Sequence, residues 1–234
     1  MKKIKYTSVK YQSSFYNSQQ RPLYLDRLER YVGTRERLIL RFVDLRRVEK
    51  ILDAGCGEGI FERYFFQKYT SKVYGIDISK KNILKCRKTL PSGKFLVGDI
   101  HNIPFPDNFF DLVFINAVLH HIEEIDVVLR EIKRVLRRNG FMIIIEPNRF
   151  NPFYLILSLL KTHERGLLHL NMRIIFEKIR ESLRKAKMIN FNSYFFPYIN
   201  FPPKKLHIIS EFLESFLPSR GINTHYLIVA QKNG

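Results

Sequence analysis

Three closely spaced glycines follow an apolar stretch that ends in an acid. The segment runs Ile51-Leu52-Asp53-Ala54-Gly55-Cys56-Gly57-Glu58-Gly59, and residues 60–69 after it favour a helix. A buried strand that turns through glycines into a helix is a nucleotide-binding arrangement, because glycine lets a ligand approach the backbone closely. The sequence therefore predicts a nucleotide-type cofactor at this turn.

The spacing and the charge of this loop favour S-adenosylmethionine (SAM) over a dinucleotide. A dinucleotide loop has the pattern Gly-x-Gly-x-x-Gly, whereas the third glycine here comes one residue earlier. Asp53 would repel a pyrophosphate, but it would attract the ammonium and the sulfonium of SAM. We therefore predict SAM as the cofactor.

Two further acids follow later strands at regular intervals. Asp77 ends the apolar run 72–76, at the spacing of roughly 20 residues from the glycine loop at which an acid reaches a ribose diol. Asp99 follows the run 94–97, where it could accept from the exocyclic amine of adenine between Ile78 and Ile100. The predicted cofactor-binding residues are Asp53, Gly55, Cys56, Gly57, Asp77, Ile78, Asp99, Ile100 and, at the end of the strand 110–115, Asn116.

This series resembles the class I SAM-dependent methyltransferases, in the subgroup of ubiquinone/menaquinone-biosynthesis and small-molecule enzymes. The resemblance extends over residues 35–148 and implies an α/β fold, with a Rossmann-like seven-stranded, mostly parallel sheet, helices on both faces, an antiparallel last strand and a helical substrate cap. The alternative is a degenerate Rossmann domain that binds nothing. The matching runs are Leu52-Asp53-Ala54-Gly55-Cys56-Gly57-Glu58-Gly59, Gly75-Ile76-Asp77-Ile78-Ser79, Gly98-Asp99-Ile100-His101-Asn102-Ile103-Pro104-Phe105, and Phe110-Asp111-Leu112-Val113 running on to Leu119-His120-His121.

Three candidate catalytic residues follow two strand ends. His120 and His121 come after Asn116, and Glu146 comes after the strand 141–145. A hydroxyl nucleophile must lose its proton, and histidine titrates in the useful range. We therefore expect His121 or His120 to be the base, with Glu146 orienting it or binding substrate. Alternatively, the two histidines only form a turn into the next helix, and carboxylate or thiol acceptors need no base.

Absent features narrow the chemistry and the location. No Pro-Pro-aromatic run follows Asn116, so the pattern of enzymes that methylate the amino group of adenine or glutamine is missing. No cysteine is placed for covalent attack on a pyrimidine. No His/Cys/Asp cluster has metal-ligand spacing, so we predict no metal. His163, His169, His207 and His225 look isolated. Two cysteines form no disulfide framework, and no apolar segment follows Met1–Lys5. We therefore expect a cytoplasmic protein, at most peripheral to the inner membrane face.

The net charge leaves several partners open. With 40 Lys+Arg against 22 Asp+Glu, the chain carries +18, which favours nucleic acid, anionic membrane or phosphorylated substrates. The cations are spread along the chain, however, and the composition also fits an AT-rich genome. Methyl transfer to a small or lipid-linked acceptor, most often at oxygen, is the leading hypothesis. A tRNA or rRNA methyltransferase lacks an appended RNA-binding module here, and a non-catalytic SAM-binding protein is the third alternative. The oligomeric state stays undetermined.

The elements that must position these residues alternate between strand and helix, which predicts one domain with a parallel sheet. Residues 1–34 are predicted as an N-terminal arm or lid, and residues 35–234 as the methyltransferase domain. Asn139-Gly140 is expected to end a helix that begins near Glu124. Beyond Arg149 we predict a helix over 172–183, strands at 189–198 and 226–230, a helix over 206–217, and a substrate cap at 149–171 and 199–220.

The cap contains an unusually apolar run, residues 153–160, which is too apolar for a loop and predicts a buried helix. The alternatives are an apolar substrate channel or a helix that lies at a membrane interface, flanked by Arg149, Lys161 and Arg165. The run is far short of the roughly 20 residues that span a bilayer.

Overall fold

One seven-stranded sheet forms the centre of the described part of the chain, in the order β3-β2-β1-β4-β5-β7-β6. The computed structural model describes residues 8–18, 25–70, 72–192 and 223–234. The strands are β1 (Lys50–Ala54), β2 (Lys72–Asp77), β3 (Lys94–Val97), β4 (Phe110–Asn116), β5 (Leu136–Pro147), β6 (Arg184–Phe191) and β7 (His225–Gln231). The helices are α1 (Val9–Ser18), α2 (Leu25–Leu40), α3 (Ile60–Tyr64), α4 (Lys80–Thr89), α5 (Ile125–Val135), α6 (Pro152–Leu160) and α7 (Met172–Ser182).

The strand directions confirm the predicted fold. Strands β3, β2, β1, β4 and β5 run parallel, whereas β7 is antiparallel to both of its neighbours, β5 and β6. Since parallel strands have their carboxyl ends at the same edge, the loops after β1, β2 and β4 meet there. The topology therefore brings the predicted functional residues to one edge of the sheet.

Each central strand sends alternate side chains to opposite faces, and helices cover both faces. Leu52, Val113 and Ile144 join the apolar cluster that includes residues of α5 and α7. Ile51 and Phe114 join the cluster on the other face, which includes residues of α2 and α3. This period of two is what a strand buried on both faces requires. It explains why these strands are almost continuously apolar in the sequence.

The start of β1 is fixed by a buried carboxylate near the start of β4. Asp111 is 3% exposed, and its Oδ2 accepts from the backbone N–H groups of Glu49 at 2.8 Å and Lys50 at 2.7 Å. Arg137, near the start of β5, pairs with the other oxygen. One side chain thus aligns three strands at the edge opposite the predicted site.

The predicted helix end at Asn139-Gly140 is wrong. Helix α5 ends at Val135, where Leu136 N–H donates to Ile132 O. Asn139, with φ of 59°, lies inside β5. The register of β4 against β5 shifts between Phe110, opposite Leu136, and Leu112, opposite Phe141. Asn139 and Gly140 therefore lie at an irregularity near the start of β5 rather than at a helix end. A β-bulge can also require left-handed backbone, which Asn and Gly adopt readily, so the same residue types occur in both places.

The strand predicted at 189–198 begins earlier, at Arg184, and its described part ends at Phe191. Its first residues, Arg184 to Lys187, are largely exposed at the edge of the sheet, so they lack the apolar alternation of a buried strand. The remainder of that prediction, the helix over 206–217 and the cap segment 199–220 lie outside the described residues.

The helix predicted at 153–160 forms, but the prediction that it is buried is wrong for its outer side. Helix α6 forms, but only Tyr154 and Ser158 are shown as buried on its inner side. Four outward side chains are strongly exposed: Leu155 at 43%, Ile156 at 56%, Leu159 at 60% and Leu160 at 78%. Among the described residues, no helix has the length and apolar character needed to cross a membrane.

Removal of the Asp111 carboxylate should destabilise the fold. In Asp111→Ala, the N–H groups of Glu49 and Lys50 lose their acceptor, and we expect about 3 kcal/mol less free energy of unfolding. Urea denaturation followed by circular dichroism measures this change. Asp107→Ala is the control, because Asp107 is 68% exposed in its pair with Arg134. Equal losses in both variants would contradict the role of Asp111.

Candidate active site

A cavity of about 320 Å³ opens at the carboxyl ends of β1, β2 and β4. Every residue predicted to bind the cofactor lines this one cavity. They are Asp53, Gly55, Cys56, Gly57, Asp77, Ile78, Asp99, Ile100 and Asn116. The sequence motifs therefore converge on a single site, although the individual role of each residue stays a prediction.

The glycine loop needs glycine for two different reasons. Gly55 has φ of 92°, and a Cβ there would come within 2.5 Å of a Val118 methyl carbon. Gly57 has φ of 55°, and a Cβ there would meet nothing within 4 Å. Both values lie in the left-handed region that side chains disfavour. Gly55 therefore allows close packing, whereas Gly57 leaves the backbone open to the cavity.

Asp77 ties this loop to the next helix. Its Oδ2 accepts from Gly57 N–H at 2.9 Å, and its Oδ1 accepts from Ser79 N–H at 2.8 Å and from the Asn82 amide at 3.2 Å. The Ser79 hydroxyl accepts from Asn82 N–H at 3.2 Å and so caps α4. The carboxylate predicted to reach a ribose therefore also shapes the loop.

Two more acids are buried beside Asp77. Asp53 is 2% exposed and lines the cavity, whereas Glu62, in the first turn of α3, is fully buried. Burial raises the pKa of Asp53 well above its usual range, and the charge of Asp77 adds to this effect. Burial likewise raises the pKa of Glu62, with a further contribution from Asp53. Within the described residues, Asp53 Oδ1 and both Glu62 carboxylate oxygens have no hydrogen-bond partner.

This trio of acids makes the end of β1 strongly attractive to a cation. Sequence reasoning found Asp53 and Asp77 but missed Glu62. A glutamate early in a helix is usually solvated, and only the packing of α3 against the sheet buries this one.

Helix α1 covers the cavity and is hydrogen-bonded to the loop after β2. Gln12, Phe15 and Tyr16 line the cavity. The Ser13 hydroxyl donates to Ile78 O at 3.2 Å, and Asn17 Oδ1 accepts from the Ser79 hydroxyl at 2.9 Å. This position suits the lid predicted for residues 1–34.

His121 meets the inner side of α1. The Tyr16 hydroxyl lies 2.9 Å from His121 Nε2, and the Gln12 amide lies 3.4 Å from His121 Nδ1. Burial and the nearby charge of His120 lower the pKa of His121 well below its usual value. His121 is therefore a neutral imidazole that lines the cavity and can accept a proton.

His120 has the opposite character. Its Nδ1 lies 2.7 Å from Glu146 Oε2, and its Nε2 lies 3.3 Å from Glu164 Oε2. Burial opposes a charge on His120, but the two carboxylates outweigh it and raise the pKa of His120 to about 10. An imidazolium at neutral pH has no free electron pair for a proton, so His120 is unsuited to be the base.

Glu146 is fully buried at the end of β5 and holds the turn that contains both histidines. Its Oε1 accepts from Val118 N–H at 2.8 Å and from Leu119 N–H at 2.7 Å. The predicted orienting role of Glu146 therefore applies in this geometry to His120, and it reaches His121 only through the backbone.

The segment after α6 supplies the remaining wall. Lys161, His163 and Glu164 line the cavity, and the His163 ring stacks on Phe15 with centroids 4.0 Å apart. Burial opposes ionisation of Glu164, but its close contacts with His120 and His163 hold its pKa well below the usual range. The expectation that His163 is isolated is wrong. The sequence could not show this contact, because it depends on the fold of residues 149–171.

Asn116 is fixed at the floor of the site. Its Nδ2 donates to the Tyr31 hydroxyl at 2.9 Å, and its Oδ1 accepts from Arg35 Nε at 3.2 Å. Arg35 is 1% exposed and also lies 3.0 Å from His225 Nε2. Burial lowers the pKa of Arg35, and this buried cation lies beneath the amide rather than in the cavity.

The described residues also contain one cluster with metal-ligand spacing. His120, His121 and Glu164 each offer a ligand atom, and these atoms lie within 4.8 Å of one another. The sequence alone shows no such cluster, because Glu164 comes from a segment distant from His120 and His121. The same side chains already form ion pairs and hydrogen bonds with Glu146, Tyr16 and each other, which accounts for their positions by charge balance.

Comparison with known proteins identifies the central segment. Residues 52–144 match the family model described as a methyltransferase domain. The chain is 37% identical over 99 residues to a demethylmenaquinone methyltransferase of Thermotoga maritima, covering 42% of this chain and 43% of that protein. It is 34% identical over 93 residues to a malonyl-[acyl-carrier protein] O-methyltransferase of Hamiltonella defensa, covering 40% and 36%. The chain thus spans less than half the length of these relatives.

The fold of the chain is also similar to that of a methyltransferase of known structure. A phosphoethanolamine N-methyltransferase 2 of Haemonchus contortus, solved in complex with S-adenosyl-L-methionine, superposes with a TM-score of 0.64 at 17% identity. The superposition covers 86% of this chain and 53% of that chain. At this identity the similarity is one of fold.

The charge on His120 should depend on Glu146. In the unaltered protein, we expect the imidazole of His120 to stay protonated until about pH 10. In Glu146→Gln its pKa should fall by more than one unit, because the closest carboxylate is lost. Nuclear magnetic resonance titration of the histidine ring protons measures this shift. His169→Ala serves to assign an exposed histidine signal, and an unchanged His120 pKa would contradict the pairing.

Proposed function

Because this chain carries a class I SAM-dependent methyltransferase domain, we propose that it transfers the methyl group of SAM to an oxygen of a small or lipid-linked acceptor. One observation carries the proposal. The predicted cofactor residues and the neutral His121 line the same cavity, so donor and acceptor can meet there.

The charges of the cavity support SAM. The sulfonium and the ammonium would approach Asp53, where Glu62 and Asp77 add further acidic groups. Ile78 and Ile100 would flank the adenine, and Asp99 would accept from its amine. A pyrophosphate would instead meet this acidic group, which disfavours a dinucleotide.

Methyl transfer requires an in-line displacement. The acceptor oxygen attacks the methyl carbon, the carbon–sulfur bond breaks, and its electron pair stays on sulfur as S-adenosylhomocysteine forms. Positioning of the two reactants can contribute about 7–11 kcal/mol. The loop after β1, Asn116 and α1 line the cavity on different sides and would together orient both reactants.

His121 is the group we propose to take the proton of a hydroxyl acceptor. It is neutral before the reaction, and the anionic Glu164 nearby would stabilise the imidazolium that forms. Tyr16, 2.9 Å from His121 Nε2, positions the ring from the lid. His120 is excluded from this role by its own charge and acts as a positioning residue with Glu146.

The relatives support the acceptor class in part. One matched protein is named for O-methylation, which agrees with an oxygen acceptor. Another is named for demethylmenaquinone, which agrees with a small, lipid-like acceptor but not with a particular accepting atom. Methylation of RNA and non-catalytic SAM binding are not favoured by these relatives. The test of the proposal is release of S-adenosylhomocysteine from SAM in the presence of phenolic, quinol and fatty-acid acceptors. Absence of release with all of them, despite SAM binding, would contradict it.

SAM affinity should rise with pH. In the empty site, burial and Asp77 favour the protonated form of Asp53, whereas bound SAM favours the ionised form. Binding therefore releases a proton, so affinity increases as pH rises and levels off once Asp53 is ionised without ligand. S-adenosylhomocysteine lacks the sulfonium, so its affinity should change less.

Calorimetric titration between about pH 5 and pH 9 measures both affinities. Asp53→Asn is the matched variant, and it should flatten the pH dependence for SAM. A slope that survives in this variant would assign the proton to another group.

Loss of His121 should affect turnover more than cofactor binding. For a hydroxyl acceptor, we expect His121→Ala to lower kcat by about 100-fold, the usual contribution of a general base. Tyr16→Phe should cause a smaller loss, because the ring stays but one hydrogen bond is removed. SAM affinity should stay within about twofold.

His169→Ala is the control, because His169 is exposed in the same segment. With a carboxylic acid acceptor, which needs no base, His121→Ala should retain turnover. Full activity of His121→Ala on a phenol would contradict the proposed base.

A further inference from the structure

Helix α6 and Phe150, two residues before it, expose several large apolar side chains to solvent. We call this the α6 face and define it as Phe150, Leu155, Ile156, Leu159 and Leu160. The least exposed of these side chains is Leu155, at 43%, and the most exposed is Leu160, at 78%. Large apolar side chains that cluster in this way mark an interaction site, whereas single exposed ones do not.

The solvent side of α6 is apolar, whereas a helix on the surface of a soluble protein exposes polar residues. Its buried side includes Tyr154 and Ser158, and the Ser158 hydroxyl donates to Tyr154 O at 2.7 Å. Its exposed side carries leucine and isoleucine at positions three and four apart. The packing thus directs Tyr154, the Ser158 hydroxyl and the partly buried Leu157 inward, and it leaves four large apolar side chains outward.

Positive charge surrounds the α6 face. The Arg149 guanidinium lies 4.8 Å from the centroid of the Phe150 ring, and Lys161 and Arg165 are exposed directly after the helix. Residues 149–176 contain four Lys/Arg and a single acid, Glu164, whose charge is paired with His120 and His163. The chain as a whole carries +18. A partner for this face is therefore both apolar and anionic.

The α6 face adjoins the entrance of the candidate active site. Leu160 ends the helix, and the next residues, Lys161, His163 and Glu164, line the cavity. A surface that docks on the α6 face would consequently lie beside the cavity.

We propose that the α6 face docks on a lipid bilayer that contains anionic phospholipids. The helix lies parallel to the membrane, with its leucine and isoleucine side chains at the level of the first acyl carbons. Lys161 and Arg165 contact the phosphate groups. Apolar insertion combined with basic flanks is how interfacial helices bind membranes. This docking is independent of catalysis and would let a lipid-linked acceptor pass from the membrane into the cavity.

The absence of tryptophan from the sequence allows a direct test. Leu159→Trp places a single fluorophore on the α6 face, and Leu84→Trp places one on α4, where Leu84 is 54% exposed outside this face. The probes are vesicles of phosphatidylcholine alone and of phosphatidylcholine with phosphatidylglycerol. No SAM or acceptor is added, so failure of docking is distinguishable from failure of methyl transfer.

We expect the Leu159→Trp fluorescence to shift to shorter wavelength with anionic vesicles and to be quenched by lipids brominated near the headgroup. Neutral vesicles should bind at least about tenfold more weakly, and the Leu84→Trp signal should not change. Adding Lys161→Glu and Arg165→Glu should weaken binding at least about tenfold. In the original sequence, Leu155→Ser with Leu159→Ser should abolish co-sedimentation with vesicles while the thermal unfolding midpoint is retained.

Three results would overturn the proposal. In one, neither type of vesicle changes the Leu159→Trp signal. In the second, the signal is already shifted and protected from iodide in dilute protein alone, which would mean that another part of the same chain covers the α6 face. In the third, the shift appears without lipid as protein concentration rises and coincides with a dimer in light scattering, which would assign the face to a second copy.

Discussion

The carboxylate of Asp77 connects three parts of the site, which are the loop after β1, the start of α4 and, through Ser79, helix α1. It accepts from Gly57 in the loop after β1 and from Ser79 and Asn82 at the start of α4. Ser79 in turn donates to Asn17 of α1. The shape of the cofactor loop, the first turn of α4 and the position of α1 therefore depend on one half-buried side chain. Because a carboxylate has several acceptor positions, Asp77 can hold the loop and still receive a ligand hydroxyl.

Electrostatically, the cavity has two ends of different character. At the end of β1, Asp53 and Glu62 are buried, and burial raises the pKa values of both carboxyl groups. At the end of β4, His120 is charged and His121 is neutral, and the anionic Glu164 lies 3.3 Å from His120 Nε2. Methyl transfer would remove positive charge from sulfur near the first end and create it on His121 at the second. Glu164 would stabilise the charge formed at the second end, whereas the acids at the first end would hold the sulfonium in place before the reaction.

What could be predicted from the sequence was decided by the topology of the sheet. Asp53, Asp77 and Asn116 each end a parallel strand, and parallel strands necessarily bring their ends to one edge. Their convergence therefore followed from local pattern alone. Glu62 and Glu164 could not be found in this way, since a glutamate on a helix or loop looks solvated until tertiary packing buries it. The contact between Tyr16 and His121 also depends on packing, because α1 has no apolar period that would place it.

Helix α6 shows a more general limit of sequence patterns. Apolar residues indicate that a segment avoids water, but they do not distinguish a protein interior from a lipid environment, since both are apolar. Only the position of the polar residues separates the two cases. Ser158 faces inward with its hydroxyl bonded to the helix backbone, so the inner side of α6 tolerates a polar group, whereas Leu155, Ile156, Leu159 and Leu160 face outward. This outward apolar side, beside the candidate cavity, is the observation on which the proposed membrane docking rests, because docking and entry of a lipid-linked acceptor would then occur at the same surface.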